Sequence, residues 1–350
     1  MATYGTSGQP NASTYNYDAL VSQSLANYRK TLQDQVSTSN AFYKMIPWES
    51  QDGGLHVAEN LMHALGTADS YDGYDELPLT PIDGITQSQW QWAQAAAAIS
   101  VSEKERKQNK HRITNLITSK IMQAEMGFKE FYAKNFLRGS LESGGSLLHS
   151  PYTSSVNGAA FVDPLPRLVS YAPTTSLEIG GINQATYSWW RNQQKESTAT
   201  TTTAFMNEWL KMYNDCSKGP GGPPKLILTD QTTWELLHQS YRAFFHNNAM
   251  EDGNFPFPNL KFFNAKVVWD EFVPDVFSST TSTATYGTAY FLNTDFFKCV
   301  YEAETNFVAT EFQKPINQDA KYKHILWMGT VVMSNRRKQG VIGKIARTLS

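Results

Sequence analysis

The chain has 350 residues, of which 41% are hydrophobic, and a formal net charge of −2, enough apolar content for a core in one large or two medium domains. The near-neutral balance excludes a protein that grips nucleic acid by neutralising many phosphates. Two cysteines, Cys216 and Cys299, with no CxxC spacing, exclude a disulfide framework and point to a reducing compartment. No run of about 18 apolar residues is present to cross a bilayer. The N-terminus lacks a charged segment followed by an apolar one, so a soluble protein without a classical secretion signal is expected.

Residues 1–15 are polar and read as an arm. Within 18–36, Val21, Leu25, Tyr28, Leu32 and Val36 fall at helical spacing and predict a short amphipathic helix. Segments 55–66 and 90–101 read as extended, with Asp72-Gly73, Pro78, Pro81 and Asp83-Gly84 clustered between them, the pattern of a long two-stranded excursion with an elaborated tip. The run Ala95 to Ala98 has competing helical propensity.

The charge pattern changes sharply after this excursion. From Ala64 to Glu103 there is no Lys, Arg or His, while Asp69, Asp72, Asp75, Glu76 and Asp83 make the segment acidic; Lys104, Arg106, Lys107, Lys110 and Arg112 follow at once. An acidic, turn-rich loop has little core of its own, so a second copy of the chain is the expected cover. Ser102 and Glu105 form an S-x-x-E capping box. Ile113, Leu116, Ile117, Ile121, Ala124, Phe128 and Phe131 then make one apolar face that stops at Gly139. Such a helix reaches about 50 Å.

Segment 141–178 is weakly patterned, and 198–203 is a Thr-rich linker. A helix through Phe205, Trp209, Leu210 and Tyr213 ends at the Gly-Pro stretch 219–224, and a strand covers 225–229. A second helix carries Trp234, Leu237, Tyr241, Phe244 and Phe245, with Thr232 and Glu235 as its capping box. Strands are expected at 260–263, 266–269, 289–292, 325–334 and 341–345. Without a regular βαβ rhythm, the class is α+β.

The search for chemistry is largely negative. Glycines precede Lys225, but the prolines among them remove the N–H groups a phosphate loop needs, and Leu226 stands where a magnesium-binding Ser or Thr belongs. There is no GxSxG elbow and no HExxH helix. The spacing of Asp69, Asp72, Asp75 and Glu76 does not match a calcium loop. Tyr187, Trp189, Trp190 and Arg191 form a cluster that suits an interface anchor, a carbohydrate platform or ordinary core. No catalytic residues, cofactor or metal ligands are assigned.

Several strings resemble major capsid proteins of tailed double-stranded DNA bacteriophages. They are Leu79-Thr80-Pro81 with Trp90-Gln91-Trp92-Ala93-Gln94-Ala95-Ala96, Lys120 to Met126, Gly180-Gly181-Ile182-Asn183 with Tyr187 to Asn192, Leu228 to Glu235, Tyr290 to Asp295, and Asn335 to Gly340. The resemblance runs from about Leu55 to the C-terminus and rests on the number and order of these strings. It implies an α+β Hong Kong 97-type capsid fold. Its parts would be an N-terminal arm at 1–54, an extended β-hairpin loop at 55–102, and a peripheral domain at 103–198 with a long spine helix at 103–138. An axial domain at 199–296 and a return to the peripheral domain at 297–350 would follow.

The implied function is self-assembly into pentamers and hexamers that form an icosahedral shell around double-stranded DNA, without sequence-specific binding and without a membrane. Some family members weld the shell through a lysine on the extended loop. The lysine-free loop here implies a non-covalent shell. Implied partners are further copies of the chain, a portal protein at one vertex, a separate scaffolding protein and decoration or cement proteins, with assembly in the host cytoplasm. Candidate inter-subunit contacts are Asp69, Asp72, Asp75, Glu76, Asp83, Lys104, Arg106, Lys107, Lys110, Arg112, Trp189, Trp190 and Arg191. An encapsulin-like compartment shell is the alternative, and a glycan-binding protein or glycosidase built on Trp189 and Trp190 is a further one.

Overall fold

The structure is a computed structural model that describes residues 45–75, 82–108, 116–139, 153, 158–242, 260–273 and 286–349. The expected arm helix at 18–36, together with Phe244 and Phe245, lies outside them. The chain divides into two units, residues 1–38, 96–128 and 309–325 in one and 39–95, 129–308 and 326–350 in the other.

In chain order the strands and helices begin with β1 (Trp48–Gln51), β2 (Val57–Met62), β3 (Ile85–Trp90), β4 (Ala93–Ser102), α1 (Glu103–Gln108) and α2 (Leu116–Leu137). There follow α3 (Leu165–Leu168), β5 (Glu178–Ile179), β6 (Ile182–Asn183), a 3₁₀ turn (Ser188–Trp190), β7 (Gln193–Glu196), α4 (Thr202–Ser217), β8 (Leu226–Thr229) and α5 (Gln231–Arg242). The chain closes with β9 (Leu260–Phe262), β10 (Ala265–Trp269), β11 (Gly287–Leu292), β12 (Phe297–Ala309), β13 (Ala320–Met333) and β14 (Gly340–Ile345).

In the smaller unit the capping box forms as expected. The Ser102 amide donates to Glu105 Oε2 and the Glu105 amide to Ser102 Oγ, both at 3.1 Å. Two donors at the start of α1 are thereby satisfied. Lys120 of α2 then bonds Glu105 at 3.0 Å and the Ser100 carbonyl at 3.1 Å. Of the expected spine helix at 103–138 the described residues form α1 and α2, and 109–115 lies outside them. Helix α2, whose residues from 129 on belong to the larger unit, stops at Gly139, whose amide donates to the Asn135 carbonyl at 2.8 Å.

The larger unit holds a six-stranded mixed sheet in the order β7-β14-β11-β8-β10-β9. Leu226, Ile227 and Leu228 of β8 and every residue of β11 are buried. Central strands covered on both faces read as continuous apolar runs, not as alternation, which is why 225–229 was legible as a strand. Helix α4 supplies Phe205, Trp209, Met212, Tyr213 and Cys216 to the core, a stripe at spacings of three and four residues. Each such side chain contributes about 1.5–3 kcal/mol on burial. Thr201 caps the helix, accepting from the Ala204 amide at 3.3 Å.

A second core forms around Tyr132, tilted against Trp48, stacked on Phe136 and edge-on to Phe161 and Trp327 at centroid distances of 5.1–6.2 Å. Its hydroxyl meets the buried Cys299 thiol at 3.1 Å. Strands β1, β12, β13 and β4 form a four-stranded sheet in that order, β1 lying parallel to β12.

Two expectations are corrected. The partner of β2 is β3 at 85–90, antiparallel from Val57↔Trp90 to Met62↔Ile85, whereas 93–102 is a separate strand of the four-stranded sheet. Helix α5 is capped by Asp230, whose Oδ2 accepts from the Thr233 amide at 3.3 Å; Glu235, expected in a box with Thr232, instead accepts from the Gln231 side chain at 2.9 Å. Strands β1 and β12 were not expected at all. Strand β14 joins the six-stranded sheet beside β11 and β7.

Candidate assembly surface

The excursion is built on the parity of β2 and β3. Residues 57, 59 and 61 face the same side as 90, 88 and 86, and there Val57, Leu61, Ser88 and Trp90 are buried. The opposite side carries Ala58, Asn60, Met62, Ile85, Gln87 and Gln89, all exposed. A two-stranded ribbon is marginal alone, so the buried side must be held by the rest of the unit.

Among the described residues the following contacts hold it. Lys298 of β12 bridges Glu49 of β1 and Glu59 of β2 at 2.7 and 2.8 Å. Burial lowers the Lys298 pKa, and the hydrogen bonds to both carboxylates more than offset this, leaving it raised. Trp90 lies against Gly180, where a Cβ would come within 3.0 Å of the indole, and the Gln89 amide donates to the Gly180 carbonyl at 3.0 Å. Gly180 also has φ of 59°, so a side chain there is excluded twice. The third contact is a stack of His63 on Trp189, with centroids 4.9 Å apart and planes at 20°.

Beyond His63 the described residues of the excursion are open. Leu65 and Tyr71 are exposed and Tyr74 fully so. The acids at the tip are engaged locally: Asp69 accepts from the Ser70 amide and Asp72 from the Gly73 amide, both at 2.9 Å, and Asp75 accepts from the Asp72 amide at 3.0 Å. These are turn-forming bonds of short acidic side chains to nearby backbone. Asp83 is exposed, and Glu76 lies outside the described residues. Sequence reasoning picked the acids and missed the apolar residues Met62, Leu65, Tyr71, Tyr74 and Ile85. Strand parity around 57–62 was the signal that could have found Met62 and Ile85.

Among the basic candidates, Lys104 and Lys107 are exposed, and Arg106 pairs with Glu103 on its own helix at 2.9 Å. Lys110 and Arg112 lie outside the described residues.

The aromatic cluster divides in two. Trp190 is 2% exposed, with its Nε1 donating to the Ile179 carbonyl at 2.9 Å, so its indole packs within its own subunit. Arg191 is tied by its guanidinium to the Gln184 and Ala185 carbonyls at 2.8 and 2.6 Å. Tyr187 remains about half exposed. With Trp190 inside and one face of Trp189 covered by His63, the pair does not form an open carbohydrate platform.

Behind the cluster sits a side chain not singled out from the sequence. Arg336 is fully buried and donates to the Leu168 and Trp190 carbonyls, Gln184 Oε1 and Asn192 Oδ1 at 2.9–3.1 Å. Burial lowers its pKa to about 9, against the pull of Asp163. Burial likewise raises the Asp163 carboxyl, opposed by Arg167 and Arg336. Among the described residues no three His, Cys, Asp or Glu side chains gather to hold a metal, and no helix is long and apolar enough to cross a membrane.

No family model and no curated protein matches the sequence. Solved structures do match in shape. The encapsulin complex of Synechococcus elongatus is similar with a TM-score of 0.58 at 10% identity, over 94% of this chain and 96% of that one. The capsid of cyanophage A-1(L) gives 0.60 at 11%, over 91% and 97%. The capsid of Myoviridae phage XM1 gives 0.57 at 11%, over 92% and 97%. The similarity spans nearly all of both chains in each case, so this chain has the Hong Kong 97-type shell fold.

Proposed function

We propose that this chain is the major capsid protein of a tailed double-stranded DNA bacteriophage, assembling as pentamers and hexamers into an icosahedral shell around the genome. The observation that carries the reading is the near-complete, two-way coverage of phage capsid subunits at this fold. The open excursion supports it, because Met62, Leu65, Tyr71, Tyr74 and Ile85 give a protruding ribbon the apolar surface that a neighbouring subunit would bury. Obligate interfaces of about 2,000–5,000 Å² hold a shell without covalent links. The excursion has no lysine, in keeping with a non-covalent shell.

In this reading the role is structural, not catalytic. The axial domain is the six-stranded sheet with α4 and α5, and takes in 340–345 as well as 199–296. The peripheral domain is built on α2 and the four-stranded sheet. A portal at one vertex, a separate scaffolding protein and decoration proteins are the partners such a shell needs, and the virion capsid assembled in the host cytoplasm is its location.

The encapsulin likeness supports a second reading, a compartment shell enclosing protein cargo. Electron microscopy of the expressed protein tests the shell itself: closed particles or capsomer rings are expected, and a strictly monomeric protein under all assembly conditions would overturn it. Nuclease-resistant DNA in native particles then separates virus from compartment.

A further inference from the structure

We infer that the His63–Trp189 stack is a latch that fixes the angle at which the excursion leaves the subunit, and through it the geometry of the assembled particle; the second half rests on the shell reading above. The inward side of the ribbon runs through 57, 59 and 61, so 63 is the next position that can touch the subunit. His63 takes it and stacks flat on Trp189, with its amide donating to the Gly84 carbonyl at 2.8 Å across the ribbon. Its Nδ1 is buried with no hydrogen-bond partner, so stacking, and not a bond from that nitrogen, sets the ring. The next inward position, Leu65, is 79% exposed.

Among the described residues the stack is therefore the outermost grip on a lever. Gly84 opposite it lies so close to Ala64 that a Cβ would come within 2.5 Å of the Ala64 carbonyl oxygen, which holds the two chains together at that pivot. Without the stack the pivot retreats to Leu61 and to Trp90 against Gly180, and the same angular freedom sweeps the tip through a wider arc. Trp189 itself is a positioning residue, and its partner Tyr187, 5.9 Å away by ring centroids, supports its outer edge.

The test measures the lever directly. Spin labels at Tyr74→Cys and Glu196→Cys, both exposed, report the tip-to-body distance distribution in the full-length chain; the native Cys216 and Cys299 are buried and unlabelled. His63→Ala and Trp189→Ala should raise the undocked fraction roughly 2- to 10-fold, the equilibrium worth of an aromatic pair. His63→Phe, which restores a stacking ring, should return the narrow distribution, an outcome a general loss of folding would not give. Equal distributions in wild type and His63→Ala overturn the latch, whatever the protein assembles into. If the distribution broadens, electron microscopy should show particles of mixed size or shape. Uniform wild-type particles from His63→Ala overturn the link to geometry, and absence of particles from the wild type itself counts against the shell reading alone.

Discussion

The Arg336 guanidinium lies 5.8 Å from the centre of the Trp190 ring and donates to the carbonyl of the same residue at 2.9 Å. One side chain from the turn before β14 thus pins the segment that carries Trp189, the residue on which the excursion leans. The bonds to Leu168, Gln184 and Asn192 extend the pin to α3, to the loop before the 3₁₀ turn and to the residue before β7.

Arg336→Met should cost about 3–5 kcal/mol, because it strands acceptors in the core after removing the cation they face. Arg336→Lys should recover little of this, since an ammonium cannot present the planar fork that reaches all four acceptors. Urea unfolding of both variants checks the order, and a stable Arg336→Lys protein would contradict it.

Asp230 caps α5 and also anchors the C-terminal segment. Its Oδ1 accepts from Thr233 Oγ1 at 2.6 Å and the Thr288 amide at 2.9 Å, while Oδ2 accepts from Arg347 at 2.5 Å. Asp230→Ala should lose about 2–4 kcal/mol, and Arg347→Ala, whose side chain is partly exposed, about 1 kcal/mol. Thermal melts that rank the two variants in reverse would show that the C-terminal segment is held by something else.

The Cys299 thiol is pushed up to about 12, first by burial, with the Tyr132 hydrogen bond acting the other way. The unfolded thiol ionises near its ordinary value of 9.0, so above that pH the unfolded state releases a proton that the native state keeps. The stability this thiol contributes is fully present below about pH 9 and falls as pH rises toward about 12, with a slope near 1.4 kcal/mol per pH unit. Denaturant titrations at several alkaline pH values should show that slope reduced in Cys299→Ala. An unchanged slope would remove Cys299 from the alkaline transition.

Reversing Asp72, Asp75 and Glu76 to Lys should impair assembly while leaving the subunit folded, because charge complementarity fixes register between partners. The local bonds of Asp72 and Asp75 add a second route to the same outcome, since the tip turn loses its side-chain acceptors. Changing Asp72 and Asp75 to Asn separates the two: it keeps a side-chain acceptor at each position and removes the charge. Particles of normal yield and shape from the charge-reversed protein would end the electrostatic account.

What was legible in the sequence follows from how local each signal is. The Ser102–Glu105 box, the stop at Gly139, the stripe of α4 and the apolar run of β8 are written within a few residues, and all four are realised. Strand β12 was not legible, because its outer half alternates weakly between partly buried and exposed residues such as Glu302, Glu304 and Val308. Its neighbours in the sheet, β1 and β13, lie far from it in sequence or across a loop.

By itself the sequence determined the class, the element types and the acidic, lysine-free excursion, since these depend on composition and short-range periodicity. Only the tertiary structure decided which of two adjacent tryptophans is core, which strand pairs with β2, and that Asp230, not Thr232, caps α5. The cap is a local bond of Asp230 to the Thr233 amide, reinforced by Arg347. The first two choices depend on distant partners, Ile179 for Trp190 and Trp90 for Val57, which a linear pattern does not name. The same holds for His63, whose role comes from one Trp more than a hundred residues downstream.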